Sequence, residues 1–508
     1  MFPGTGRWYA ADMDATTPAA APSLFLLTDL YQLTMAYGYW RLGLAARRAV
    51  FHLTFRQQPF GGGYAIAGGL GPAVDYLTSL QPTAADLDYL ATLVGNDGRP
   101  LFDPAFLAWL DGCRFTGDLD AVPEGSVVFA NEPLLRVEGP LLQCQLVETA
   151  LLNLVNFSTL VATKAARVRV AAGDEPVLEF GLRRAQGPDG GLTASRAAYL
   201  GGADATSNVL AGHRYGIPVR GTHAHSWVMC FPDEPTAFAA YARVLPNNCV
   251  FLVDTYDTLE GVRHAIAAAR ELRAQGHELV GIRLDSGDLA YLSQQARRLL
   301  DEAGFPGAKV LASNDLDERL IESLHLQQAA IDLWGVGTRL VTGGEQAALG
   351  GVYKLAALAA PDGGWEYPLK LSEQAIKITT PGRLGVRRFC RQGEIVADCI
   401  YDLDLGLLPG AALVDPRDAT RQRPLEPELT AAELLVPVLR AGQPVGARPT
   451  LAESRQHTLQ QLAALHPGVK RLANPHELPV GLEPRLAARR TRLIGEARAR
   501  VRERRTPG

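Results

Sequence analysis

Six short apolar runs, each closed by polar residues, recur between Val177 and Val336 and constrain the fold more than any other feature. They predict strands at 177–180, 217–221, 250–253, 280–284, 310–312 and 333–336. Amphipathic helices follow several of them, as at 259–275 and 289–303. A helix between two strands returns the chain to the starting edge, so the strands run parallel and the crossovers are right-handed. Six such units form a barrel, complete or partial, more readily than a two-layer sheet. The pattern alone also admits an open sheet.

The polar clusters carry the functional information. Arg183 follows the first run, and Thr222, His223 and His225 follow the second. Asp254 and Asp257 follow the third, and Arg283, Asp285, Ser286, Gly287 and Asp288 close the fourth. Ser313, Asn314 and Asp315 follow the fifth, and Gly335, Gly337 and Thr338 close the sixth. In parallel α/β units the carboxyl ends of the strands share one face, so these groups should converge. Helix capping accounts for Asp257 and Asp315, since Glu260 and Glu318 stand three residues on. It accounts for neither the arginines nor the imidazoles. The Gly-Val-Gly-Thr run can cradle a phosphate through close backbone N–H groups and a hydroxyl. Arginines suit bidentate contacts to anions. Asp285 and Asp288 could hold magnesium or sugar hydroxyls. The inventory suits a phosphorylated sugar with a metal, and an anionic co-substrate.

The His-x-His pair has a second reading. On a strand, positions two apart face the same way, so both rings could bind zinc in a metal-dependent amidohydrolase. Such a site needs further histidines on later strands. Here His264, His277 and His325 fall in or beside predicted helices.

The rest of the chain frames this core. Residues 1–22, rich in Ala, Pro and Thr, predict a disordered tail rather than a secretory signal. Residues 28–39 and 141–172 have helical spacing, the latter as one long helix, and 50–55 alternates like a strand. Residues 365–389 read as hairpin strands, with Pro-rich linkers near 424–427 and 437–449. A last Arg-rich helix at 485–505 also carries Glu496 and Glu503, as a solvated helix does. The formal charge of -4 argues against general nucleic-acid binding. The six cysteines form no C-x-x-C pair, and no apolar run approaches the ~20 residues of a membrane span. Reduced thiols in the cytoplasm are expected.

Six ordered motifs give the chain a family likeness: TDLYQLTMA, EFGLRRAQGPDGGLTAS, GTHAHSW, IRLDSGDL, SND and GVGTRLVT. With them the chain resembles the nicotinate phosphoribosyltransferases, type II phosphoribosyltransferases of NAD salvage, from about Leu24 almost to its end. The resemblance implies an α/β fold: an irregular or incomplete (β/α) barrel plus a second α+β domain built from both chain ends. Barrel residues 166–395 and second-domain residues 23–165 with 396–508 follow. It implies joining of nicotinate to phosphoribosyl pyrophosphate with ATP hydrolysis, giving nicotinate mononucleotide and pyrophosphate. Mg2+ is the implied cofactor, and a homodimer with shared sites the implied assembly. His225 falls on the family's phosphorylated histidine and Asp285 near the ribose, both as catalytic groups. Tyr31, from the partner subunit, and Phe180 would stack on the pyridine ring. Thr222, Arg283 and Arg183 would bind the nicotinate or another anion. Asn314 would lie by the ribose, and Gly337 with Thr338 would hold the 5-phosphate. His223 occupies a position where the family varies. Nicotinamide phosphoribosyltransferase shares the EFG- and DSGD-like elements, and the GLRRAQGPDGG loop favours the acid. The quinolinate enzyme is shorter and lacks the DLYQLT opening.

Overall fold

The computed structural model describes residues 23–371 and 379–503, so the expected 1–22 tail lies outside the described residues. At its centre is a six-stranded parallel sheet. Its strands, numbered here within this sheet, are β1 (Val177–Glu179), β2 (Ala205–Thr206), β3 (Val250–Leu252), β4 (Gly281–Leu284), β5 (Lys309–Ala312) and β6 (Leu333–Val336). Their spatial order is β2-β1-β6-β5-β4-β3. This is chain order taken cyclically, with the last strand beside the first, as in a barrel. β3 and β2 are the open edges.

The predicted strand at 217–221 is not a strand. It makes one isolated bridge, Val219 to Thr206, on the outer edge of β2. The cause is local. Gly216 (φ 70°) ends the preceding helix Val209–Tyr215, and Pro218 has no N–H to give a ladder. Only the Pro218 carbonyl and the Arg220 N–H reach Thr206. No ladder therefore joins β2 to β3 among the described residues.

Aspartates start the crossover helices. Asp257 accepts from the Glu260 N–H (2.9 Å) ahead of the helix Thr258–Ala274. Asp288 Oδ1 accepts from Tyr291 N–H (3.1 Å) ahead of Leu289–Glu302. The cap of Glu318–Leu326 is Asp317, not Asp315 as expected. Leu316 is fully buried and fixes the register of this turn, leaving Asp315 free to face the cleft.

The stretch 141–172 is two helices, Leu141–Leu146 and Glu148–Ala172, broken at Val147. The second is mostly buried and packs through small residues against the helix Gly187–Leu200. A Cβ on Gly201 would stand 2.2 Å from the Ala162 carbonyl oxygen. Around the barrel lie an antiparallel sheet and a mixed one, in which Glu394–Asp402 pairs parallel with Val480–Leu482. One joins Arg48–Phe55 to Leu135–Pro140 and Gly351–Ala359; the other is centred on the hairpin Leu384–Arg391 with Glu394–Asp402. Trp365–Glu366 pairs with Gly351–Ala359, so residues 365–389 contribute to two different hairpins rather than one. Residues 372–378 of that stretch lie outside the described residues. The 395 boundary falls inside the second hairpin, because strands after 351 pair with those of the chain ends. Likewise 437–449 is not all linker: Val436–Arg440 pairs with Asp118–Ala121. Among the described residues no helix is long and apolar enough to cross a membrane.

Candidate active site

The carboxyl ends of β1, β4, β5 and β6 open on one cleft of about 170 Å³. Of the residues singled out in the sequence, Phe180, Arg183, Arg283, Asp285, Ser313, Asn314, Asp315, Gly335, Gly337 and Thr338 line it, joined by Arg184. Phe180 is buried and forms its floor. Gly335 is required there, since a Cβ would stand 2.8 Å from the Phe180 ring. Asn314 has φ 112°, a conformation rare outside glycine and characteristic of functional turns.

Arg283 organises the centre. Its Nε donates to Ser313 Oγ (2.8 Å), Nη1 to Thr222 Oγ1 (3.1 Å) and Nη2 to Asp285 Oδ1 (2.8 Å). Ser313 also donates to Asp285 Oδ1. Burial alone would raise the Asp285 pKa. The Ser313 hydrogen bond and the Arg283 charge overcome it, and the carboxyl stays below its ordinary value. Asp285 is therefore an anion at neutral pH. The side chains of Arg183 and Arg184, on the turn Leu182–Arg184, have no hydrogen-bond or ion-pair partner among the described residues. They leave two cations free at the cleft.

His225 adjoins this centre. It opens the short helix His225–Met229, and its Nδ1 lies 3.1 Å from Thr255 Oγ1. Its Nε2 faces two carboxylates, Asp285 Oδ2 at 3.8 Å and Asp254 Oδ1 at 3.9 Å. Asp254 Oδ2 accepts from the Asp285 N–H (2.8 Å) and Ser286 Oγ (2.7 Å). Its Oδ1 is buried with no hydrogen-bond partner. His223 turns away, into a pocket with Phe238, Tyr241 and Phe251. Burial, assisted by the charges of Arg283 and His225, lowers its pKa.

This arrangement can bind an anionic planar ring over an aromatic floor and hold a phosphorylated sugar beside a carboxylate. A family profile described as the nicotinate phosphoribosyltransferase N-terminal domain matches residues 26–156, and one for the C-terminal domain matches 385–490. The nicotinate phosphoribosyltransferase of Bacillus subtilis (strain 168) is 44% identical over 494 residues, covering 95% of this chain and 97% of its own. The chain belongs to the nicotinate phosphoribosyltransferase family. The Bos taurus nicotinate phosphoribosyltransferase is 39% identical over 541 residues, covering 94% of this chain and 98% of its own. The crystal structure of human nicotinic acid phosphoribosyltransferase superposes with a TM-score of 0.79 at 36% identity, covering 92% of this chain and all of that one.

Against the amidohydrolase reading, the two imidazoles of this family member point to different neighbours. His264, His277 and His325 are engaged by Glu234, Asn247 and Glu175. Among the described residues no three His, Cys, Asp or Glu side chains form a metal site. Tyr31 is not in the cleft: it lies on the N-terminal helix Leu30–Arg41 and is 46% exposed. Sequence reading missed Glu179, which is buried at the end of β1. It accepts from the Gly181 N–H, from Ser195 Oγ (2.8 Å) and from Thr206 Oγ1 (2.6 Å), and so fixes the turn bearing Phe180 and Arg183. A carboxylate inside an apolar strand, next to an Arg pair, was the available signal.

Proposed function

We propose that the protein joins nicotinate to phosphoribosyl pyrophosphate with ATP hydrolysis, forming nicotinate mononucleotide and pyrophosphate for NAD salvage in the cytoplasm. The observation that carries this reading is the pair of unpartnered arginines beside the Phe180 floor. Nicotinate lies on Phe180, with its carboxylate toward Arg183 and Arg184 and the Thr222–Arg283 edge. As the bond from ribose C1 to pyrophosphate loosens, positive charge grows on the sugar. The Asp285 carboxylate stabilises it, with Asn314 beside the ribose. Gly337 and Thr338 receive the 5-phosphate. The pyridine nitrogen then attacks C1.

Magnesium fits this donor set. Asp285 and the unpartnered Asp254 Oδ1 would hold it together with substrate phosphate oxygens, in the usual manner of one or two carboxylates per ion. When bound it would neutralise pyrophosphate charge. His225, facing the same carboxylates, accepts phosphate from ATP.

The test is a product assay with nicotinate and nicotinamide side by side, with and without ATP. A charge-assisted pair contributes ~1.5–3 kcal/mol, so nicotinate should lead by roughly ten- to a hundredfold in kcat/KM. Equal turnover of both at subsaturating concentration overturns the acid preference and favours the amide enzyme.

Among the described residues Phe180 is the only aromatic side chain lining this cleft, and Tyr31 is exposed elsewhere. We infer that Tyr31 completes the ring clamp of a partner subunit in a homodimer. An added stacked pair contributes ~0.5–1.5 kcal/mol. Mixing Tyr31→Ala with His225→Ala chains should restore part of the activity, because each hybrid dimer keeps one intact site. An inactive hybrid, verified by mass, removes the shared-site idea.

A further inference from the structure

The open seam of the barrel is bridged by a side chain. β3 is an edge strand, and its outer side has no ladder partner among the described residues. The Leu252 N–H on that side donates to His223 Nε2 at 3.3 Å. Both groups are buried. A buried N–H without an acceptor is costly, so the imidazole takes the place of the missing strand. Because Nε2 accepts, the proton sits on Nδ1, which points at the Ala224 carbonyl oxygen 3.4 Å away. The ring is held by Tyr241, at 5.0 Å between centroids, and by Phe238 and Phe251.

Two residues on, His225 meets Thr255 Oγ1. The two histidines thus grip the same short segment, 252–255, at its two ends, with Asp254 between them. Asp254 in turn holds the Asp285 N–H and Ser286. We propose that His223 is a positioning residue: as a neutral Nδ1–H imidazole it locks the 222–225 loop onto the end of β3, and so sets the place of His225 against Asp254 and Asp285. This gives a task to a histidine that stands where the family varies. The catalytic consequence rests on the proposed role of His225; the lock itself does not.

Three variants of the full chain separate these points: His223→Leu removes the acceptor and keeps an apolar side chain, His223→Gln can return an acceptor oxygen near the Nε2 position, and His225→Ala serves as reference. The first readout is amide hydrogen exchange at Leu252. Protection should fall in His223→Leu and persist in His223→Gln. Equal protection in wild type and His223→Leu overturns the lock. The second readout is steady-state transfer to nicotinate. His223→Leu should lower kcat by about tenfold or more, the scale of one buried hydrogen bond, with nicotinate KM changed by less than about threefold. His223→Gln should recover most of kcat. A loss shared by both variants, or one confined to KM, overturns the positioning role. Full activity in His225→Ala, with Leu252 still unlocked in His223→Leu, would instead fault the reading of His225 and leave the lock standing.

Discussion

Asp285→Asn is expected to lower kcat by about 10²–10³-fold with little loss of folded protein, the scale found when one preorganised charge-stabilising group is removed. The change keeps the shape and removes one negative charge. Three things depend on that charge. Arg283 loses its ion-pair partner at 2.8 Å, which leaves its guanidinium held by Ser313, Thr222 and the Phe180 ring. His225 Nε2 loses one of its two facing carboxylates. The sugar cation forming at C1 loses its counter-charge. The first effect acts on nicotinate binding and should raise KM; the other two act only as the reaction proceeds and should fall on kcat. Steady-state kinetics with both substrates varied separates them. A KM effect without a kcat effect would reduce Asp285 to an anchor for Arg283. The pH sign is also fixed. A carboxyl whose folded pKa is depressed contributes stability above its unfolded value, near 4, and loses it as pH falls through the folded value. Wild-type stability should therefore decline more steeply than that of Asp285→Asn at acid pH.

Much of this site was legible in the sequence because strand ends in parallel α/β units share a face. Arg183, Arg283, Asp285, Ser313, Asn314, Gly335, Gly337 and Thr338 line one cleft on that ground alone. What stayed hidden depends on partners distant in sequence. Asp254 could be read as a strand-end acid, but its work on Asp285 and Ser286 joins two neighbouring strand ends. The choice between Asp315 and Asp317 as helix cap turned on the burial of Leu316 between them. The break at Val147 involves neither Gly nor Pro, and the apolar spacing runs on through it, so no local signal marked it. The 217–221 segment has the apolar composition of a strand, yet Pro218 denies it a ladder. The same local failure leaves a seam for His223 to bridge. Sequence spacing placed His223 and His225 on one strand face; with no strand there, they diverge.

His225→Ala should abolish covalent labelling from γ-labelled ATP, together with the stimulation of transfer by ATP. The geometry assigns the acceptor atom. Nδ1 is engaged at 3.1 Å with Thr255 Oγ1, so with the proton on Nδ1 the lone pair of Nε2 is free. Nε2 is also the atom that faces the carboxylates, and the ring is 40% exposed, open to an incoming phosphate. Those carboxylates would repel a γ-phosphate unless a divalent cation stood between, so labelling should require magnesium and cease on chelation. A phosphate on Nε2 then adds about −2 of charge beside Asp285, which favours binding the cation that phosphoribosyl pyrophosphate brings with it. The label should be acid-labile and base-stable, as a phosphoramidate is, and should map to the peptide containing His225. It should persist on that residue in His223→Gln. Some ATP-independent transfer should survive in His225→Ala, because Phe180, the arginines and the Gly337–Thr338 cradle are untouched. Label retained in His225→Ala would move the acceptor elsewhere. Stoichiometric zinc in the purified protein would point back to the hydrolase reading of the His-x-His pair.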